Sequence, residues 1–170
     1  MGTGTRGVAA EVAGILVSLG QAADLAEVAA LERACYTDPW PATAFAALPE
    51  NPDVYFALAR SGSDGTVAGY VIAWHVMKEA ELANLAVDPR LRRRGIGRLL
   101  LDAMLRDSDE RGTDRVFLEV RESNAAARGL YASREFTQVG RRKQYYRSPE
   151  EDALILKRDR AIKVSQGKTK

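Results

Sequence analysis

A basic turn punctuated by glycine, Arg92-Arg-Arg-Gly-Ile-Gly-Arg98, precedes an apolar run with helical spacing at Leu99, Leu100, Ala103, Met104 and Leu105. The first N–H groups of a helix have no carbonyl partner within it, and glycines let ligand oxygens approach the backbone closely. With Arg92, Arg93, Arg94 and Arg98 around those donors, the turn suits a pyrophosphate better than a single carboxylate. A capped helix behind a solvated basic turn is the plainer alternative. Two familiar phosphate loops are excluded: only Gly95 and Gly97 occur, so G-x-G-x-x-G is missing, and no Gly-Lys-Ser/Thr follows.

Further along, Glu119 sits between Leu118 and Val120 in a strand-like run, so its carboxylate faces away from their packing and could take a proton from an amine. The competing role is a salt bridge to Arg121 or Arg115. Asn124 can cap a helix or hold a polar arm of a ligand. Tyr131 comes seven residues later, close to two helical turns, where a phenol could protonate a departing thiolate or simply pack. Trp40, Tyr145 and Tyr146 are candidates for an acceptor groove, with core packing as the alternative for each. Asp38 and Glu50 could add negative charge near a cationic substrate, although solvated loop positions explain them equally well. His75 has no catalytic partner in sequence, and Cys35 reads as a small residue near a helix end.

The elements that must position these groups follow from periodicity. Strands are expected over 15–19, 55–59, 67–76, 81–87 and 114–120, the middle ones forming an antiparallel meander. A helix over 23–34 and a second between Pro41 and Pro49 precede the meander's main body. The helix behind the basic turn reaches Arg111 before Gly112, making the next strand a parallel crossover. A helix over 123–134 leads to a terminal antiparallel pair, 136–146 and 153–156. Residues 1–12 read as a frayed start, 13–158 as one domain and 159–170 as a basic tail.

Composition narrows the classes. A chain of 170 residues buries one substantial core. The net charge is +2, but residues 157–170 hold six Lys/Arg against one Asp, leaving the body net acidic and unsuited to a broad nucleic-acid face. One cysteine and one histidine leave no thiolate or histidine-rich metal cluster. No run is long enough to span a membrane, and a secretion signal is not evident, so a cytoplasmic location is expected.

Taken together, Asn84-Leu-Ala-Val-Asp-Pro with Arg92–Arg98, Leu118-Glu-Val-Arg-Glu-Ser-Asn-Ala-Ala-Ala127, and Leu130-Tyr131 resemble the GNAT acetyltransferase superfamily. The basic turn is similar to its R/Q-x-x-G-x-G/A signature for acetyl-coenzyme A. Tyr36-Thr-Asp-Pro-Trp40, Arg142-Lys-Gln-Tyr-Tyr146 and Glu151–Leu156 resemble its bacterial ribosomal-protein-alanine N-acetyltransferase branch, the RimI-like proteins. The resemblance implies an α/β (α+β) GNAT fold, with a mixed central sheet flanked by helices. It implies that the backbone of Leu85, Ala86 and Val87 holds the acetyl-pantetheine arm beside a splayed strand. Arg93, Arg94, Gly95, Ile96, Gly97 and Arg98 would then surround the pyrophosphate, and Asn124 would touch the arm. Glu119 would accept the proton and Tyr131 would return one to the thiolate.

The implied acceptor is the N-terminal alanine of a small-subunit ribosomal protein, with no metal, nucleic acid or membrane involved. Another N-terminus, a lysine or a small amine is the alternative acceptor, and a non-catalytic acyl-coenzyme-A sensor is the alternative class. One departure is local. Where the family often has Leu-Gly-Phe after the tyrosine helix, this chain has Arg134-Glu135-Phe136.

Overall fold

The computed structural model describes residues 10–12 and 14–160. Eight strands form one sheet: β1 (Ala10–Val12), β2 (Ile15–Leu19), β3 (Val54–Ser61), β4 (Val67–Val76), β5 (Glu79–Val87), β6 (Arg115–Arg121), β7 (Thr137–Arg147) and β8 (Glu150–Asp159). Their order is β1-β2-β3-β4-β5-β6-β8-β7. The first five run as an antiparallel meander, β5 to β6 is the parallel step, and β8 inserts antiparallel between β6 and the edge strand β7. A helix supplies the parallel crossover, as that connection requires.

Three helices cover the sheet: α1 (Leu25–Cys35), α2 (Ile96–Glu110) and α3 (Ala125–Ala132). The apolar stripe of α2, with Leu99, Leu100, Ala103, Met104 and Leu105 all buried, packs on one face of the sheet together with Tyr131 of α3. Each fully buried Leu there contributes roughly 2 kcal/mol of transfer free energy. Residues Val28 and Leu31 of α1 join Phe45, Leu48, Tyr70 and Ile72 in a second cluster. Close packing of α2 depends on Gly69 of β4, where an added Cβ would lie 2.7 Å from the Ala86 carbonyl oxygen and 3.0 Å from a Leu100 methyl.

Several expectations are corrected. The segment between Pro41 and Pro49 forms two short 3-10 turns, Ala42–Phe45 and Leu48–Glu50, instead of an α-helix. Two prolines bracket too few residues to repay helix nucleation, and the turns already bury Phe45 and Leu48. Within the supposedly frayed start, Ala10–Val12 pairs with β2. Strand β8 is also longer than the 153–156 expected. Helix α3 is shorter, since Asn124 caps it by accepting the Ala127 N–H at 3.1 Å. The basic tail beyond Arg160 lies outside the described residues.

The turn leaving α3 needs the left-handed conformation that glycine adopts freely, yet Glu135 occupies it with φ 65°. A side chain in that region costs about 1 kcal/mol, partly offset by the greater unfolded-state entropy of glycine. Glu135→Gly is therefore expected to stabilise the fold by roughly 0.5–1 kcal/mol. A denaturant midpoint at or below that of the unsubstituted chain would contradict this account of the turn.

Candidate active site

The site begins with an irregularity in β5. Ile72 pairs with Asn84 and the next residue of β4, Ala73, pairs with Leu82, so Ala83 is an extra residue in the strand. A bulge of this kind bends the strand and resets the alternation of its side chains. Beyond it, Leu85 and Val87 pack toward α2, while Ala86 joins the cluster under α1. The parallel pairing with β6 ends at Leu82–Leu118. From Ala83 onward, one edge of β5 faces a gap.

The hydrogen bonds identify which groups line that gap. Asp88 N–H donates to the Ala68 carbonyl at 2.9 Å, so by antiparallel alternation the backbone of Ala86 also faces β4. Leu85 and Val87 face the other way. The Leu85 carbonyl accepts from the Tyr36 hydroxyl at 2.8 Å, and the Val87 carbonyl accepts from Cys35 Sγ at 3.4 Å and Arg92 Nε at 3.2 Å. Of the three residues expected to offer backbone to a ligand here, Leu85 and Val87 turn theirs toward the gap, and Ala86 turns its own toward β4.

Directly after β5 the chain reaches the start of α2. Gly95 is its N-cap with φ 81°, a value glycine adopts without penalty. The first intrahelical bond is from Leu99 N–H to the Gly95 carbonyl, so the amides of Ile96, Gly97 and Arg98 precede it. A Cβ at Gly97 would meet Leu130, Val87 and Leu85 at 3.5–3.8 Å, which places this glycine against the end of β5 and against α3. Arg92, Arg93, Arg94, Gly95 and Arg98 are exposed, so the turn is open to solvent. Arg93 adopts φ 64°, adding a second left-handed residue before Gly95. Bare amides, an open approach and surrounding guanidinium groups fit a diphosphate at this end of the gap.

The opposite wall carries Glu119. On β6 the buried residues are Val116, Leu118 and Val120, which leaves Phe117, Glu119 and Arg121 on the other face. Glu119 pairs with neither Arg121 nor Arg115. Its Oε1 lies 2.7 Å from Arg142 Nε of β7, whereas Arg115 pairs with Glu79 and Arg121 with Glu151. A second irregularity supplies the neighbours: between Arg142 and Tyr146 β7 carries extra residues against β8, with Gln144 at φ 51° and its N–H held by Asp152 at 2.9 Å. This bulge brings the Tyr145 hydroxyl to Glu119, whose carboxylate holds that phenol above its ordinary range. Tyr146 packs edge-on against Tyr145, 5.2 Å between centroids, with the Arg121 guanidinium 4.0 Å over its ring.

Tyr131 completes the gap from α3. It is buried against Phe136 at 5.7 Å, and burial first, then the nearby Tyr146, pushes its phenol well above the usual range. It therefore stays protonated across neutral pH. Tyr36 is raised too, by burial of its hydroxyl and then by Tyr131, which sets the two phenols within electrostatic reach of each other. Phenols, the Glu119 carboxylate and the gap-facing edge of β5 thus converge.

Other sequence candidates lie elsewhere or carry other duties. Asn124 spends its side-chain oxygen on the helix cap. The Trp40 ring packs on Phe45, centroids 5.8 Å apart, in the cluster under α1. His75 Nε2 meets Ser108 Oγ at 3.0 Å beneath the far end of α2, away from the gap. Tyr36 and Arg142 were passed over as individual residues, although both lie in segments singled out by sequence. Among the described residues, no His/Cys/Asp/Glu group could hold a metal ion, and no helix is long and apolar enough to cross a membrane.

Comparison with known proteins agrees with this geometry. Residues 25–136 match the acetyltransferase (GNAT) family. The N-alpha-acetyltransferase RimI of Mycobacterium tuberculosis is 40% identical over 143 residues, covering 81% of this chain and 87% of that protein. The [ribosomal protein bS18]-alanine N-acetyltransferase of Escherichia coli K12 is 35% identical over 142 residues, 82% of this chain and 94% of its own. A crystal structure of the Escherichia coli ribosomal-protein-S18-alanine N-acetyltransferase superimposes with a TM-score of 0.81 at 31% identity, covering 89% of this chain and 97% of that one. The glycine turn, the parted strands and these relatives together make the chain a RimI-like N-acetyltransferase of the GNAT family.

Proposed function

We propose that the chain transfers the acetyl group of acetyl-coenzyme A to the α-amine of an N-terminal alanine, the acceptor being a small-subunit ribosomal protein. The observation that carries this reading is the parting of β5 from β6 after Leu82–Leu118. It leaves strand backbone at Leu85 and Val87 facing a slot rather than a partner strand. A pantetheine arm carries amide groups that can pair with such an edge as a strand would. Each carbonyl has two lone pairs, so the Tyr36 bond to Leu85 need not break for an arm to dock. The diphosphate then falls at the amides of Ile96, Gly97 and Arg98.

At the other end of the slot the α-amine gives up a proton to Glu119, directly or through water, and attacks the thioester carbonyl. Arg142 and Tyr145 orient the carboxylate for this. As the tetrahedral intermediate collapses, the C–S bond breaks and Tyr131 protonates the thiolate. Terminal amines are favoured by chemistry as well as by shape: an α-amine titrates near pH 8 and lysine near 10.4, so freeing a lysine amine costs roughly 3 kcal/mol more at neutral pH. The target named for the Escherichia coli relative, the alanine of bS18, supports the choice of acceptor. Mass-spectrometric mapping of acetyl transfer tests it, with alanine-initiated peptides, internal-lysine peptides and small amines in one competition. Alanine peptides are expected to be modified first, and preference for either other class would overturn the assignment.

Two substitutions address the proton path. Tyr131→Phe is expected to lower kcat about a hundredfold while changing the acetyl-coenzyme A dissociation constant less than twofold. Because its phenol is raised above an ordinary tyrosine, the unsubstituted protein should show no loss of rate from Tyr131 ionisation below about pH 10. Equal activity in the two proteins would remove its role as the acid.

For Glu119→Gln, transfer at pH 7 should slow by about two orders of magnitude and recover partly at higher pH, where the amine loses its proton unaided. An unchanged rate and pH profile would count against Glu119 as the proton acceptor.

A further inference from the structure

One carboxylate lies in the core close behind this site with no cation to balance it. Glu32, in the last turn of α1, is 1% exposed. Its Oε1 accepts the Trp40 backbone N–H at 2.9 Å, and its Oε2 accepts Asn84 Nδ2 at 3.0 Å together with the Tyr70 hydroxyl. No ion pair to Glu32 forms among the described residues. A buried carboxylate is tolerated only when its lone pairs are satisfied, so the energetic weight of this group falls on those donors.

The donors belong to the two walls of the gap. Asn84 is the residue that the β5 bulge turns toward α1, immediately before the gap-facing Leu85. Trp40 closes the loop that begins at Tyr36, whose hydroxyl reaches that same Leu85. Tyr70 fixes the carboxylate to β4. We infer that Glu32 is a positioning residue: through its two oxygens it holds the Tyr36–Trp40 loop at a set distance from the parted strand, so that acceptor and acyl donor meet in register. This rests on the acetyl-transfer reading of the site.

Glutamine in place of Glu32 separates the two connections. An amide keeps one acceptor and brings two donors, so one of the buried N–H or O–H groups facing it must lose its acceptor. Asn84 and Tyr70 are fixed in central strands, whereas Trp40 sits in a loop that can yield, so the loop bond is the one released.

The test measures peptide KM, kcat, acetyl-coenzyme A affinity and thermal midpoint for the unsubstituted protein, Glu32→Gln and Tyr70→Phe, using an alanine-initiated peptide. Glu32→Gln is expected to raise peptide KM about tenfold, with cofactor affinity within twofold. Tyr70→Phe leaves the Trp40 bond in place and should lower the thermal midpoint with peptide KM within twofold. An unchanged peptide KM in Glu32→Gln, or an equal rise in Tyr70→Phe, overturns the inference. Failure of the unsubstituted protein to turn over peptide rejects the acetyl-transfer reading instead. Should Glu32→Gln not fold, amide hydrogen exchange in the unsubstituted protein decides: Trp40 N–H is expected to exchange far more slowly than its loop neighbours, and exchange at loop rates overturns the inference.

Discussion

The architecture turns on a sheet edge created inside a sheet. Strands pair because unpaired backbone groups are costly to bury, and edges exposed to solvent invite further pairing. Here the edge arises because one extra residue, Ala83, bends β5 away from β6 after Leu82–Leu118 while β4 keeps its hold on the other side. Side chains reach across the gap to the exposed carbonyls of Leu85 and Val87. Two further parts of the site are adjacent in sequence to this divergence: β5 runs straight into the glycine turn of α2, and β6 presents Glu119 just after its last pairing with β5.

An interior edge has to remain satisfied when no ligand pairs with it. Tyr36, Cys35 and Arg92 do this by donating to Leu85 and Val87, and all come from segments that border the site rather than from the sheet. Burial lifts the Cys35 thiol above its ordinary range, with Arg92 working against the shift. The thiol therefore stays neutral and serves as a donor, not as a nucleophile. The same economy holds at Glu32, where neutral donors stand in for a cation and join the loop to the strand.

Much of this was legible in the chain because the signals were local. The helix behind Arg92–Arg98, its stop at Gly112, the 67–76 strand and the parallel crossover follow from periodicity and punctuation, and the structure has them. Glu119 facing away from Leu118 and Val120 follows from alternation alone. What escaped was set by bulges and long-range pairing. The resemblance grouped Leu85, Ala86 and Val87 together, and the Asp88–Ala68 bond, with the insertion at Ala83 setting the register, shows which of them face β4 and which face the gap. Neighbouring arginines were the natural partners for Glu119, but Arg142 arrives from a strand that joins the sheet two positions away. Glu32 did leave a trace, a carboxylate on the buried stripe of α1 beside Val28 and Leu31. A charge at such a position needs a partner the local sequence cannot name.

The Glu119–Arg142 pair sets a condition on the proposed entry of an acceptor. In the reaction proposed above, an incoming N-terminal ammonium would meet a carboxylate that already has a cation, and would have to displace the guanidinium or share the second oxygen. The geometry favours exchange. Arg142 is more than half exposed and belongs to the edge strand β7, while Glu119 is held in a central strand and is far less accessible. Pairs with one partner in solvent contribute little, commonly below about 1 kcal/mol, so the guanidinium can leave at small cost. It also has somewhere to go, since the Tyr145 ring lies 5.4 Å from it and can receive the cation on its face. Arg142 thus keeps Glu119 from standing unpaired, and the bulge in β7 sets Tyr145 beside both, where its phenol would stay close to the carboxylate through the proposed exchange.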